Sequence, residues 1–246
     1  MANPPLLPLT WNVPEIFRQR LGTTVGKQRS MDAEGHLLLV LHQPPQVGEI
    51  SRRGRLLWRD PAGNWRGSDT GSGLVAVRKH LDQYAEAIEV FDKAEDVASK
   101  ADDYLPLLDG LAPLVRATRN LEQVMQEARK LVPDDRNIID FRDRAYEIAR
   151  TADLLYTDAK NGMEVAVIRR AEEQAKASER TATAAGHFNL LVAFFFPIGI
   201  LSGIFGTNLQ SGFEQIAAPI PLVFLVLVGL TCGILLAIHI NRIAKS

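Results

Sequence analysis

Two apolar runs close the chain. The first, FNLLVAFFFPIGILSGIFGTN over 188–208, and the second, over 220–240, are separated by a short loop; between His187 and Ile240 the only formally charged side chain is Glu214. In hydrocarbon every backbone N–H and C=O has to be satisfied within the segment, so an apolar run spans only as a helix. Both runs reach the roughly 17 to 25 residues that a span requires. The pattern predicts two transmembrane helices, at about 188–206 and 220–240, and buried core helices of a soluble fold rarely lose all charge over such a length.

Upstream the periodicity changes. Ile138, Phe141, Ala145, Ile148, Ala152, Leu155, Ala159, Gly162 and Ala166 alternate steps of three and four, a seam of about four heptads. No proline interrupts 134–196. The reading is one continuous helix over about 134–205, opened by Asp134-Asp135 and roughly 100 Å long at 1.5 Å per residue. A helix of that length is expected to need copies of itself along the seam. Before it, Leu81, Tyr84, Ala85, Ile88 and Phe91 mark another helical face. A further helix, capped by Asp102-Asp103, runs through Leu114, Leu121, Val124 and Leu131. Pro106 is tolerable in its first turns, whereas Pro113 is expected to kink or break it.

The N-terminal third reads as β-rich. His36-Leu-Leu-Leu-Val-Leu-His42, bounded by Gly35 and Pro44-Pro45, suits a buried strand. Leu56-Leu57-Trp58 and Trp65 flank Asp60-Pro61-Ala62-Gly63-Asn64, a hairpin turn with proline at its second position. Residues 68–73, SDTGSG, read as a flexible linker. His36 and His42 share a strand face but stand about 20 Å apart, too far to chelate one ion. The division is thus a small β-rich unit (1–77), a helical region holding the long stalk helix (78–186) and a two-helix membrane domain (187–246). The fold class is an α+β membrane protein whose stalk helix is continuous with its first span.

Charge and composition narrow the function. With 28 Lys and Arg against 29 Asp and Glu, the net charge is −1, which argues against a nucleic-acid partner. The sole cysteine, Cys232, lies in the second run and forms no intramolecular disulfide. The N-terminal MANPPLLPLTWNVPEIF lacks a basic region before an apolar core, so no signal peptide is expected. Arg169, Arg170, Lys176 and Arg180 precede the first run, and Arg242 and Lys245 follow the second. The loop between carries neither Lys nor Arg. By the positive-inside rule both termini are expected in the cytoplasm of a multi-pass inner-membrane protein. No nucleophile–base pair, P-loop or zinc-ligand spacing suggests an enzyme.

The first run ends in Gly206-Thr207-Asn208, with Pro197 nine residues before Gly206 and Gly203 between them. This stretch resembles the CorA family of divalent-cation channels, whose first membrane helix ends in Gly-Met-Asn with a proline at the same spacing; Thr207 replaces the methionine. The resemblance covers the last third of the chain well and the long helix loosely. It implies a homo-oligomer in the bilayer, a pentamer, passing Mg²⁺ and also Co²⁺, Ni²⁺ or Zn²⁺, with a divalent cation as cargo and as regulator. It implies that Gly206, Thr207 and Asn208 form the selectivity ring, with Asn208 facing the hydrated ion. It puts Gly203, Gly199, Phe196, Val192 and Phe188 on the pore face, Phe196 and Phe188 as gates. It also points to Asp92, Glu95, Asp96, Asp102 and Asp103 as regulatory metal ligands between protomers. The chemistry is apt: Mg²⁺ sheds water reluctantly, and neutral amide oxygens accept hydrogen bonds from its hydration shell. From pattern alone, a two-span sensor or effector whose cytoplasmic part binds a ligand or partner, and a membrane-anchored coiled coil, remain open.

Overall fold

The computed structural model of the chain describes residues 6–46, 48, 52–206, 216–217 and 219–243. They fall into two compact units, Met1–Arg169 and Arg170–Ser246.

The first unit begins with a short helix, α1 (Glu15–Arg20), then a five-stranded antiparallel sheet in sequential order. Its strands are β1 (Arg29–Ala33), β2 (His36–His42), β3 (Gly54–Arg59), β4 (Trp65–Gly67) and β5 (Gly71–Ser72). β1 and β2 are joined by Glu34 and Gly35, with Ala33 paired to His36. Both turn residues have positive φ, 51° and 75°, as a two-residue hairpin loop matched to strand twist demands. The β3–β4 turn forms as the sequence suggests: Gly63 N–H donates to the Asp60 carbonyl, and the Asp60 carboxylate accepts from the Asn64 backbone N–H.

β2 reads as an unbroken apolar run because the sheet is covered on both faces. Leu37, Leu39 and Leu41, with Leu57 and Trp65, enter a core shared with the helices. Leu38 and Val40, with Met31, Leu56 and Trp58, are covered by Leu7, Trp11 and Phe17 of the N-terminal segment and α1.

Residues 68–73 are a hairpin and not the flexible linker expected from their composition: Gly67 pairs with Gly71 and Arg66 with Ser72. The cause is a buried cation. Arg55 on β3 is 3% exposed and donates to both carboxylate oxygens of Asp69 in this turn, at 2.7 and 2.8 Å. Arg55 Nη1 also donates to His80 Nδ1 at 2.9 Å and to Gln83. Leaving a buried guanidinium without its counter-ion would cost several kcal/mol, so the turn is held where the arginine needs it. Burial works to raise the Asp69 carboxyl pKa, but hydrogen bonds from Arg55 and Gln43 outweigh it and the net shift is downward.

Two helices pack on the sheet, α2 (Leu74–Glu95) and α3 (Ala101–Leu131). Asp103 caps α3, accepting from the backbone N–H groups of Ser99 and Lys100. Of the kink or break expected at Pro113, the break does not occur; α3 runs through both prolines. A proline in a helix interior costs about 3 kcal/mol. Leu111, Leu114 and Leu121 around it are each 0–1% exposed, and each buried leucine returns about 1.5–3 kcal/mol, so packing prevails.

The long helix, α4 (Arg136–Gly206), starts one residue beyond Asp135. Asp135 acts as its cap, accepting from the Asn137 backbone N–H at 2.9 Å and from Arg59 of β3 at 2.9 Å. The alanine-rich seam differs from expectation in its partner. Ile138, Phe141, Ala145, Ile148, Ala152, Leu155 and Ala159 are 0–5% exposed and lie in the core formed with α2, α3 and the sheet of the same chain. At Gly162 an added Cβ would stand 2.6 Å from the Tyr104 ring of α3. The seam is therefore consumed within the chain: three-four spacing suits any antiparallel helix neighbour as well as a coiled coil.

The buried network fixes a pH dependence. His80 is fully buried, and burial first, then the charge of Arg55, drops its pKa from 6.5 to about 3. The unfolded chain takes up that proton near pH 6.5 while the folded chain refuses it. This contribution is thus whole above pH 6.5 and lost as pH falls toward 3, by up to about 1.4 kcal/mol per pH unit. His42 is shifted the same way. Thermal melts from pH 6.5 to 4.5 are expected to show falling stability, and His80→Gln, which keeps an acceptor for Arg55, a shallower slope. An unchanged slope would mean that His80 is not buried as neutral imidazole.

Candidate functional site

In the second unit α4 continues to Gly206 and is joined by α5 (Ile220–Ile243). Among the described residues, the helix Arg136–Gly203 carries a window apolar enough to cross a bilayer, and only 6% of that window is buried. The apolar stretch found on α5, Val226–Ile238, is short of a full span.

Two glycines let α5 approach α4. A Cβ at Gly229 would lie 2.7 Å from Ile198, and one at Gly233 would lie 3.3 Å from the Phe194 Cα and 3.6 Å from the Ala193 carbonyl oxygen. That carbonyl is the one whose helical N–H donor Pro197 removes. The proline thus frees an oxygen directly beneath α5. Small residues one turn apart, Gly229-Leu-Thr-Cys-Gly233, are a sequence signal for such close packing that hydropathy alone overlooks.

The face of α4 toward α5 carries Leu190, Ala193, Phe194, Pro197, Ile198 and Leu201, each buried or half-buried. At about 3.6 residues per turn, the opposite face carries Phe188, Val192, Phe196, Gly199 and Gly203. Phe188 and Phe196 are 65% and 63% exposed, and Val192 is 42% exposed. A Cβ at Gly199 or Gly203 would meet nothing within 4 Å. This is the set that the resemblance puts on the pore face, and within the chain it is left open. Thr207, Asn208 and Glu214 lie outside the described residues, and Gly206 is the last residue of α4.

The five acidic candidates are gathered near the α2–α3 connection without forming a chelate. Asp92 and Glu95 end α2, Asp96 follows, and Asp102 opens α3 beside Asp103, whose carboxylate is engaged in capping. Among the described residues no three His, Cys, Asp or Glu side chains converge as a metal site within one chain. His36 Nδ1 accepts from the Trp58 indole at 3.1 Å and His42 Nε2 lies 2.8 Å from the Gly26 carbonyl.

No protein-family model and no curated protein matches this chain. Among solved structures it is similar to the full-length CmaX protein, at 14% identity over 92% of this chain and 80% of that one, with a TM-score of 0.49. It is also similar to the CorA magnesium transporter from Methanocaldococcus jannaschii, at 11% identity over 89% and 80%, with a TM-score of 0.47. Both likenesses are remote, and neither decides what this chain does.

The two faces of α4 respond differently to added bulk. Gly233→Leu is expected to destabilise the α4–α5 pair by about 1–3 kcal/mol, visible as a lower melting temperature in detergent. Gly199→Ala and Gly203→Ala should leave the pair intact or gain slightly in helix propensity. Equal damage from all three would mean that the face bearing Gly199 and Gly203 is packed.

Proposed function

We propose that this chain is one subunit of a homo-oligomeric membrane channel, five copies around a central pore, through which hydrated divalent cations pass, Mg²⁺ foremost. The observation that carries the reading is the coincidence of two independent features. The sequence Pro197 to Asn208 resembles the end of the CorA pore helix, and the face of α4 bearing Phe188, Val192, Phe196, Gly199 and Gly203 is the one that α5 leaves uncovered. A helix that turned those residues toward its own partner could not also line a pore with them.

On this reading α4 and α5 both span the membrane, with the first unit in the cytoplasm. Asn208 rings the outer mouth and accepts hydrogen bonds from the ion's water shell; the shell is kept because Mg²⁺ dehydrates reluctantly. Phe196 and Phe188 form apolar rings that close the resting pore by excluding water. Thr207, smaller and more polar than methionine, widens the mouth and broadens acceptance to Co²⁺, Ni²⁺ and Zn²⁺. Since the alanine seam of α4 is buried within the chain, the oligomer must be held by surfaces other than that seam and the pore face.

Asn208→Ala should lower Mg²⁺ uptake into liposomes by about tenfold or more, the worth of a hydrogen bond to a charged shell, without changing the oligomer seen on a sizing column. Unchanged uptake sinks the selectivity ring, and an unaltered wild-type protein that passes no ion at all favours a sensor or effector.

Phe196→Ser should raise the leak of closed channels while leaving the melting temperature nearly unmoved, since its ring is mostly exposed in the single chain. A destabilised variant without leak would instead put Phe196 against lipid or a neighbouring helix.

A further inference from the structure

In the first unit, the side of α4 turned away from its buried seam carries a pattern of its own. Tyr146, Arg150, Leu154, Val165 and Ile168 share one face, about half a turn round from Ile148 and Ala152 of the seam. The four apolar side chains are each about half exposed. An apolar stripe left open among polar residues marks an interaction surface. Arg150 stands in it with Tyr146 and Leu154 four residues to either side, where side chains on one helix face meet. Its guanidinium has no hydrogen bond or ion pair among the described residues.

Beside the stripe, α4 and α2 leave a groove of about 280 Å³ between them. Ala85, Ile88 and Ile148 give it an apolar, buried or half-buried lining, and the exposed Glu89, Asp92 and Glu147 give it carboxylates. Arg144 also lines it but is held by Asp82 at 3.3 Å, and Glu89 is held by Lys93 at 2.7 Å. Asp92 and Glu147 have no cation of their own among the described residues. The three carboxylates do not converge as a metal site within the chain. An apolar lining beside two unpaired carboxylates suits instead a guanidinium on its aliphatic stem, the stem on the isoleucines and the head on the acids.

A second copy of the chain brings that guanidinium at the right height. Glu147 and Arg150 are three residues apart, about 4.5 Å along the helix and about 60° around it. In a closed ring whose α4 helices run along the axis, each residue stands level with its copies. Head-to-tail contact then sets one edge of α4 against the other edge of its neighbour. The acidic groove is on the α2 side of α4 and Arg150 lies off that side, so every copy gives one arginine and receives one.

We infer that Arg150 of one copy enters the α2–α4 groove of the next and pairs there with Glu147 and Asp92, a contact that holds the oligomer together. The inference rests on the homo-oligomer of the proposed channel and names the surface by which its subunits meet. The test is native mass spectrometry of the full chain in detergent over a dilution series, with far-UV circular dichroism as the check on folding. Arg150→Glu and Glu147→Arg, both at exposed positions, should each raise the concentration of half-assembly by about tenfold or more with helicity unchanged, since each sets like charges against one another across the contact. The double variant carrying both changes exchanges the two charges and should assemble again. The inference is overturned if either single variant assembles as the wild type does, if the double variant stays dissociated with its helicity intact, or if the wild type is a monomer. Cation flux into liposomes keeps the two readings apart. A wild-type oligomer that passes no divalent cation sinks the channel and leaves the contact standing, whereas a conducting oligomer indifferent to both charge reversals sinks the contact alone.

Discussion

A helix of 71 residues has to find cover, or a reason to lack it, along every turn. α4 meets this demand in three ways. Up to Ala159 its small-residue seam is buried in the core of its own chain, with alanines at 145, 152 and 159 each 0% exposed. Alanine at these positions brings backbones close and loses no side-chain entropy on burial. Over 167–189 almost every position is exposed, and the polar residues there suit water. From Leu190 one face is covered by α5 and the other is apolar and bare. Exposed aromatic and aliphatic groups in that number mark a surface that a bilayer or another protein chain covers.

The sheet end of the molecule is organised by a different constraint, a guanidinium that folding has removed from water. Arg55 recruits Asp69, His80 and Gln83, and through Asp69 it reaches Gln43. Tyr84, packed edge-on against His80, donates to the His42 carbonyl. One buried charge thereby ties β2, β3, the β4–β5 turn and α2 together. Such a network adds little net stability over an apolar core, yet breaking one member leaves an uncompensated charge. Its effect is to fix a single arrangement of these elements.

Much of this was legible in the sequence, and the failures have physical causes. The β2 strand, the Asp60–Asn64 turn, the α3 cap at Asp103 and the unbroken α4 all follow from local patterns whose residues act on near neighbours. β1 and α1 gave weak signals: Arg-Ser-Met-Asp-Ala has one buried side chain, Met31, and the Glu34-Gly35 loop lacks the usual Asn-Gly. The 68–73 hairpin was hidden because its partner, Arg55, is distant in sequence. The break allowed for at Pro113 does not occur, because local helix cost says nothing of the tertiary packing that offsets it. The seam of α4 was found correctly as a buried stripe, but periodicity cannot name the partner.

The glycines of the two apolar helices show why a motif has to be read with its neighbours. Gly199, Gly203, Gly229 and Gly233 would all pass as packing positions, and by composition alone the first pair would be assigned to the contact with α5. In the structure only Gly229 and Gly233 serve that contact, and they do so where Pro197 has released the Ala193 carbonyl. The glycines of α4 need another reason to be small. Against lipid there is none, since a larger apolar side chain would lose nothing there and would raise helix propensity by up to about 1 kcal/mol. On the channel reading proposed above there is one: glycines around a central axis leave room for an ion that keeps its water. The cost of two glycines in mid-helix thus has a use under the proposed reading that a helix facing only lipid would not give it.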